Sequence, residues 1–135
     1  MREILFRGKA IADNKWRYGG IHINDEGRTF IIIGSYPDKK IGYCFCEVDP
    51  NTVGQYMGIK DKLNKRLFEG EKVKCILSMD EKTGDCESTT AIVCYDSEDA
   101  GFYFDTDCEK FPYAKPWFVE DVEIIGNVNE SHNPA

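Results

Sequence analysis

The chain is poor in histidine, in long hydrophobic runs and in positive charge, and each shortage removes a class of function. Its 135 residues include two histidines, His22 and His132. His22 falls inside a strand-like segment. His132 sits in a tail expected to fray, where a catalytic base would lack a fixed position. There is no Gly-x-Ser-x-Gly elbow, and no Gly-Lys-Ser/Thr follows Gly54 and Gly58 to make a phosphate loop. The expectation is a non-enzymatic protein without a cofactor. No apolar run approaches the roughly 20 residues that a spanning helix needs. Met1-Arg2-Glu3 is followed by three apolar residues before Arg7. No signal peptide is read there, and a cytoplasmic location is expected.

Lysine and arginine number 17 against 24 aspartate and glutamate, a net charge of −7. That balance disfavours non-specific binding to nucleic acid, which rests on counterion release by basic side chains. The charge is also uneven. Between Lys60 and Lys74 the bases Lys60, Lys62, Lys65, Arg66, Lys72 and Lys74 outnumber Asp61, Glu69 and Glu71. From Asp80 to Glu109 acids prevail, with Lys82 the one base. Solvated faces explain this simply; opposed patches that dock copies of the chain are the sharper alternative.

What is present is a β pattern. Short alternating segments are divided by Gly, Asp and Asn turns. Ile4–Arg7 opens, and Ala12–Lys15 turns into Trp16–Ile23, where Gly19-Gly20 marks a bulge or bend. Asn24-Asp25-Glu26-Gly27 reads as a hairpin turn. Phe30–Ile33 reads as a strand buried on both faces. Tyr36–Lys40 forms a loop, and Tyr43, Phe45 and Val48 alternate in a further strand that Asp49-Pro50 ends. Thr52–Met57 has strand periodicity, Gly58 to Lys65 reads as a solvated loop, and Leu67-Phe68 is an apolar anchor. Glu69-Gly70-Glu71 is a tight turn, and Val73, Cys75 and Leu77 share one face of the next strand. Glu81–Asp85 makes a hairpin loop, Thr89–Tyr95 a strand, Asp96–Gly101 a turn and Phe102–Phe104 the start of another strand. Phe111–Phe118 is an aromatic connector punctuated by proline, and Val119–Asn127 closes the fold. No amphipathic helix longer than a turn or two is visible. The pattern predicts an all-β protein built as a small barrel or sandwich.

Metal chemistry finds little support. Cys44 and Cys46 have one residue between them, less than the two to four of structural zinc pairs. Cys75, Cys86, Cys94 and Cys108 are scattered singly, and reduced thiols packing as small hydrophobes are expected. Asp105, Asp107 and Glu109 alternate on one face. A helix-loop-helix calcium loop counted from Asp105 would need Gly and Glu at its sixth and twelfth positions. Lys110 and Pro116 stand there.

The run Asn51–Lys74, NTVGQYMGIKDKLNKRLFEGEKVK, carries a resemblance. Thr52, Val53, Gly54, Gln55, Tyr56, Gly58, Asp61, Phe68, Glu69, Gly70 and Val73 resemble the signature of the YopX family of phage and prophage proteins. Ile59, Asn64 and Glu71 stand where that signature has Leu, a turn Gly and Asp. Met1–Gly8 with Lys15–Gly19, and Val122–Asn127, resemble the family's opening and closing segments. The resemblance implies a mostly-β fold with a small SH3-like barrel in the C-terminal half. The chain is either one continuous domain or is divided at the Gly58–Lys65 loop, into an N-terminal β subdomain over residues 1–58 and the barrel over 59–135. The resemblance also implies a bacterial host. It implies no reaction and carries no catalytic residues.

The expected function is that of a phage- or prophage-type accessory protein that binds a protein partner or itself. The candidate surface is the aromatic connector, Phe111, Tyr113, Trp117 and Phe118. One alternative is a nucleic-acid-binding barrel using Lys62, Lys65 and Arg66, with Tyr95, Phe102, Tyr103, Phe104 and Trp117 as possible stacking residues. Another is an acidic mimic of nucleic acid. Binding to nucleic acid or membrane is not expected.

Overall fold

The computed structural model describes residues 3–33, 44–78 and 86–129. The Tyr36–Lys40 and Glu81–Asp85 loops, Tyr43, and the terminal segment from Ser131 lie outside the described residues. The protein is mainly β: every strand pairing within its two sheets is antiparallel. Its only helical segments among the described residues are two 3-10 turns, Pro50–Thr52 and Pro116–Phe118. Two compact units are distinguished, residues 1–58 and 59–135.

The first unit holds strands β1 (Phe6–Lys9), β2 (Trp16–Ile23), β3 (Thr29–Ile33), β4 (Cys44–Val48) and the start of β5 (Gly54–Lys60), in the order β4-β3-β2-β1-β5. Asn24 builds the β2–β3 hairpin. Its side-chain oxygen accepts the N–H groups of Glu26 and Arg28, while Gly27 takes φ +83°. A left-handed φ is what glycine adopts without a Cβ clash. The Gly19-Gly20 pair is where β2 changes partner, Gly19 facing β1 and Gly20 facing β3. A Cβ on Gly19 would fall 2.0 Å from the Ile32 carbonyl oxygen, so only glycine fits. The far end of β4 bonds back to the end of β1 through the Ala10–Val48 bridge and the Asp49 N–H to Lys9 carbonyl bond. This curls the first four strands on themselves around Ile31, Val48 and Ala10.

Two expectations are corrected here. Phe30–Ile33 is not buried on both faces: Thr29 and Ile31 point inward, while Phe30, Ile32 and Ile33 are half-exposed. A curled small sheet has only one inner face, so continuous β-branched character does not imply two covered sides. The strand after Pro50 starts late and ends late. Pro50–Thr52 forms a 3-10 turn instead, because Asp49 caps it by accepting the Asn51 N–H and proline fits its first position.

The second unit holds β6 (Arg66–Phe68), β7 (Glu71–Ser78), β8 (Cys86–Asp96), β9 (Gly101–Thr106), β10 (Tyr113–Ala114) and β11 (Val119–Asn127). Five of these form a sheet ordered β10-β9-β8-β7-β11. The chain leaves β10 at one edge and returns as β11 at the other. Its buried apolar residues are Val73, Cys75, Leu77, Ala91, Val93, Phe104, Ala114 and Val122, and Leu67 and Phe68 are buried on β6, which neighbours β5 in the other sheet. Each fully buried large side chain there is worth about 1.5–3 kcal/mol of transfer free energy. β11 carries register shifts between Glu120 and Glu123 and between Ile124 and Gly126. Asp121 sits in the first with φ +50°, and the second leaves Ile125 exposed.

Candidate interaction surface

The signature residues are mostly architecture. Thr52 Oγ1 accepts the Lys9 N–H at 2.8 Å and donates to the Asp49 carbonyl at 2.6 Å, tying the 3-10 turn to β1. Gly54 lies opposite Arg7 in the β1–β5 ladder, and Gln55 opposite Phe6. Tyr56 is buried, and its N–H reaches the Leu5 carbonyl. Gly58 has φ +96° and Gly70 φ +88°. Val53 is half-buried, while Phe68 and Val73 are in the core. Glu69 and Gly70 form the turn into β7, anchored by the Gly70 N–H to Val93 and the Val128 N–H to Gly70.

Asp61 overturns the expectation of a wholly solvated loop. β5 continues to Lys60, and Asp61 is only 6% exposed. One carboxylate oxygen accepts the N–H groups of Leu63 at 2.9 Å and Lys65 at 2.8 Å. The other reaches the Ile124 N–H on β11 at 3.4 Å, beside the Lys62 N–H to Val122 carbonyl bond. Asn64 completes the turn with φ +67°, as a turn residue in a glycine position should. The loop therefore clasps β11. Its Lys62 forms an ion pair with Glu123 at 3.0 Å, which raises the lysine pKa through that hydrogen bond first.

The aromatic connector has the opposite character. Trp117 is 82% exposed, on a 3-10 turn opened by Pro116. Its ring meets Phe118 edge-on at 6.0 Å, and Phe118 packs on Phe111 at 5.1 Å. Phe111 and Phe118 are half-buried supports, whereas Tyr113 is exposed. The Phe111 carbonyl accepts the Thr106 hydroxyl proton, and the Pro112 carbonyl accepts the Thr106 N–H, so the connector is bonded to β9.

Residues that the sequence did not link to the connector gather around Tyr113. Tyr103 stacks on it with centroids 4.1 Å apart and planes 13° from parallel. The Tyr113 hydroxyl donates to Asp96 at 3.0 Å. Asp96 also accepts the Glu98 N–H, fixing the β8–β9 turn. The Lys115 ammonium pairs with Asp99 and lies 5.3 Å above the Tyr113 ring. Partial burial, then the Asp96 hydrogen bond, hold the Tyr113 phenol above its ordinary pKa; burial and then Cys94 do the same for Tyr103. Both stay neutral at physiological pH. The only sequence signal was weak: Tyr103 and Asp105 share the polar parity of β9. Of the proposed stacking set, Phe104 is core, Tyr103 is half-buried and stacked on Tyr113, Phe102 is half-buried against Tyr95, and Tyr95 and Trp117 are exposed.

The alternation of Asp105, Asp107 and Glu109 is not one strand. β9 ends at Thr106, and Asp107 turns to accept the Thr90 hydroxyl. Among the described residues no group of three acidic, cysteine or histidine side chains is placed to hold a metal ion. Cys44, Cys46, Cys75, Cys94 and Cys108 are free thiols. His22 is exposed and lies against Phe30 and Phe45, its ring centroid 5.9 Å from the latter. No described helix is long and apolar enough to cross a membrane.

Together these features define an all-β protein whose signature segment is spent on architecture, while its second unit carries an exposed aromatic ridge. The chain belongs to the YopX family: the family model described as YopX protein matches residues 5–134. No curated protein matches the chain.

Proposed function

We propose that this is a non-enzymatic phage- or prophage-type accessory protein that binds a protein partner through the ridge formed by Trp117, Phe118, Phe111 and Tyr113. The reading takes the second unit as an SH3-like barrel acting in the cytoplasm of a bacterial host. The observation that carries it is the exposure of Trp117 on a preorganised turn. An exposed tryptophan on a rigid support loses little side-chain freedom when a partner covers it, and such residues dominate binding energy at interfaces.

The nucleic-acid alternative is less well supported. Lys62 of the basic loop is paired with Glu123, and among the described residues the one base shown beside the Tyr103–Tyr113 stack, Lys115, is paired with Asp99. Phosphate tracking needs unpaired lysine and arginine beside the stacking faces.

The test is Trp117→Ala, which removes the exposed ring and leaves the Phe111–Phe118 contact in place. Pull-down from host lysate with and without nuclease, followed by titration of the captured protein, should give binding that survives nuclease and is lost in the variant. Capture that disappears with nuclease, or is unchanged by the substitution, would reject the reading. Phe118→Ala is a poorer probe, because it also unpacks Phe111.

A further inference from the structure

The flank of the ridge indicates what kind of partner segment fits it. Tyr103 and Tyr113 form one stacked pair on the outer face of the sheet. Asp105 lies directly opposite Tyr113 in the β9–β10 ladder, so its carboxylate shares that face. Asp96, Glu98 and Asp99 line the adjoining β8–β9 turn. Asp96, Asp99 and Asp105 thus border the stacked pair, Glu98 adds a fourth carboxylate on the same turn, and Lys115 is the cation seated beside Tyr113. Lys115 shows what this surface holds well: an ammonium above a tyrosine ring with a carboxylate behind it. Its single charge leaves the patch strongly negative.

Resting on the docking reading above, we infer that the partner presents a basic segment. Its Lys or Arg side chains lie on the Tyr103 side of the stack and pair with Asp96, Glu98 and Asp105, while an apolar neighbour packs on Trp117. A cation over a ring gains from the quadrupole of that ring, and guanidinium also stacks flat on aromatic faces. The carboxylates add attraction for a basic partner and repel acidic ones. A second copy of the chain is a poor occupant, since two molecules of net charge −7 repel.

A display library of random linear peptides, selected on the full chain, tests this. Selected peptides should be enriched in Lys and Arg and should lose binding to Trp117→Ala. A variant carrying Glu98→Lys and Asp105→Lys changes two surface charges without touching the aromatic rings. It should bind the same peptides at least about tenfold more weakly, with the difference shrinking at high salt. Circular dichroism of both variants should match the parent. Peptides that need Trp117 but carry no excess positive charge, or that bind the charge-reversed variant equally, overturn the basic-segment inference and leave the docking surface standing. Peptides indifferent to Trp117 overturn both.

Discussion

Asp61 and Asp96 begin the same kind of turn and end in opposite roles. Each uses one carboxylate oxygen to accept N–H groups just ahead in the chain, Leu63 and Lys65 for Asp61, Glu98 and Asp99 for Asp96. The difference lies in the second oxygen. That of Asp61 is turned inward to the Ile124 N–H of β11. That of Asp96 is turned outward to a tyrosine hydroxyl at the surface. Identical local chemistry closes a sheet edge in one place and arranges a candidate binding face in the other.

The largest effect is expected at Asp61. Replacing Asp61 with Ala removes a buried carboxylate that accepts three part-buried N–H groups, so a loss of about 3 kcal/mol in unfolding free energy is expected by urea titration. Asp61→Asn keeps one acceptor oxygen and should lose about half as much. A change under ~1 kcal/mol for Asp61→Ala would mean that the clasp on β11 contributes little. Next comes the turn itself. Asn64→Val places a β-branched residue at φ +67° and should lose about 1–2 kcal/mol, whereas Asn64→Gly should be close to neutral.

The core of the same unit gives a pH test. Burial raises the Cys75 thiol from 9.0 to about 11. The unfolded chain ionises first, so the thiol's contribution to stability is complete below pH 9 and is lost as pH rises towards 11. Cys75→Ala should flatten that alkaline decline in thermal unfolding curves, and a decline of unchanged slope would assign it to other groups.

The smallest stability effects are expected on the outward side. Asp96→Asn keeps one acceptor oxygen for the Glu98 and Asp99 N–H groups and loses the acceptor of the exposed Tyr113 hydroxyl, so a loss below ~1 kcal/mol is expected. Trp117→Ala should shift stability by no more than ~0.5 kcal/mol. Its whole consequence should appear in partner binding. A large loss of stability from Trp117→Ala would make the ridge part of the core and erase the contrast with Asp61.

Much of the fold was legible because its signals are local. Asn24 and Gly27, Asn64, and Gly70 announce turns through dihedral preference and side-chain-to-backbone bonds that need no distant partner. Val73, Cys75 and Leu77 announce a buried face by alternation, and each is at most 1% exposed. Other readings failed where neighbours across space decide. Asp61 looks as soluble as any loop acid until β11 arrives beside it. Phe30–Ile33 looks doubly buried until the sheet is seen to curl.

By itself, then, the sequence determined the all-β class, most turn positions and the family, since these follow from backbone preferences, periodicity and residue order. Tertiary structure alone decided that Thr52, Tyr56 and Asp61 of the signature segment are buried, that Tyr103 comes to stack on Tyr113, and that Trp117 faces solvent. Those outcomes depend on the register of strands far apart in the chain, and pairing register is set by the packing of the whole sheet.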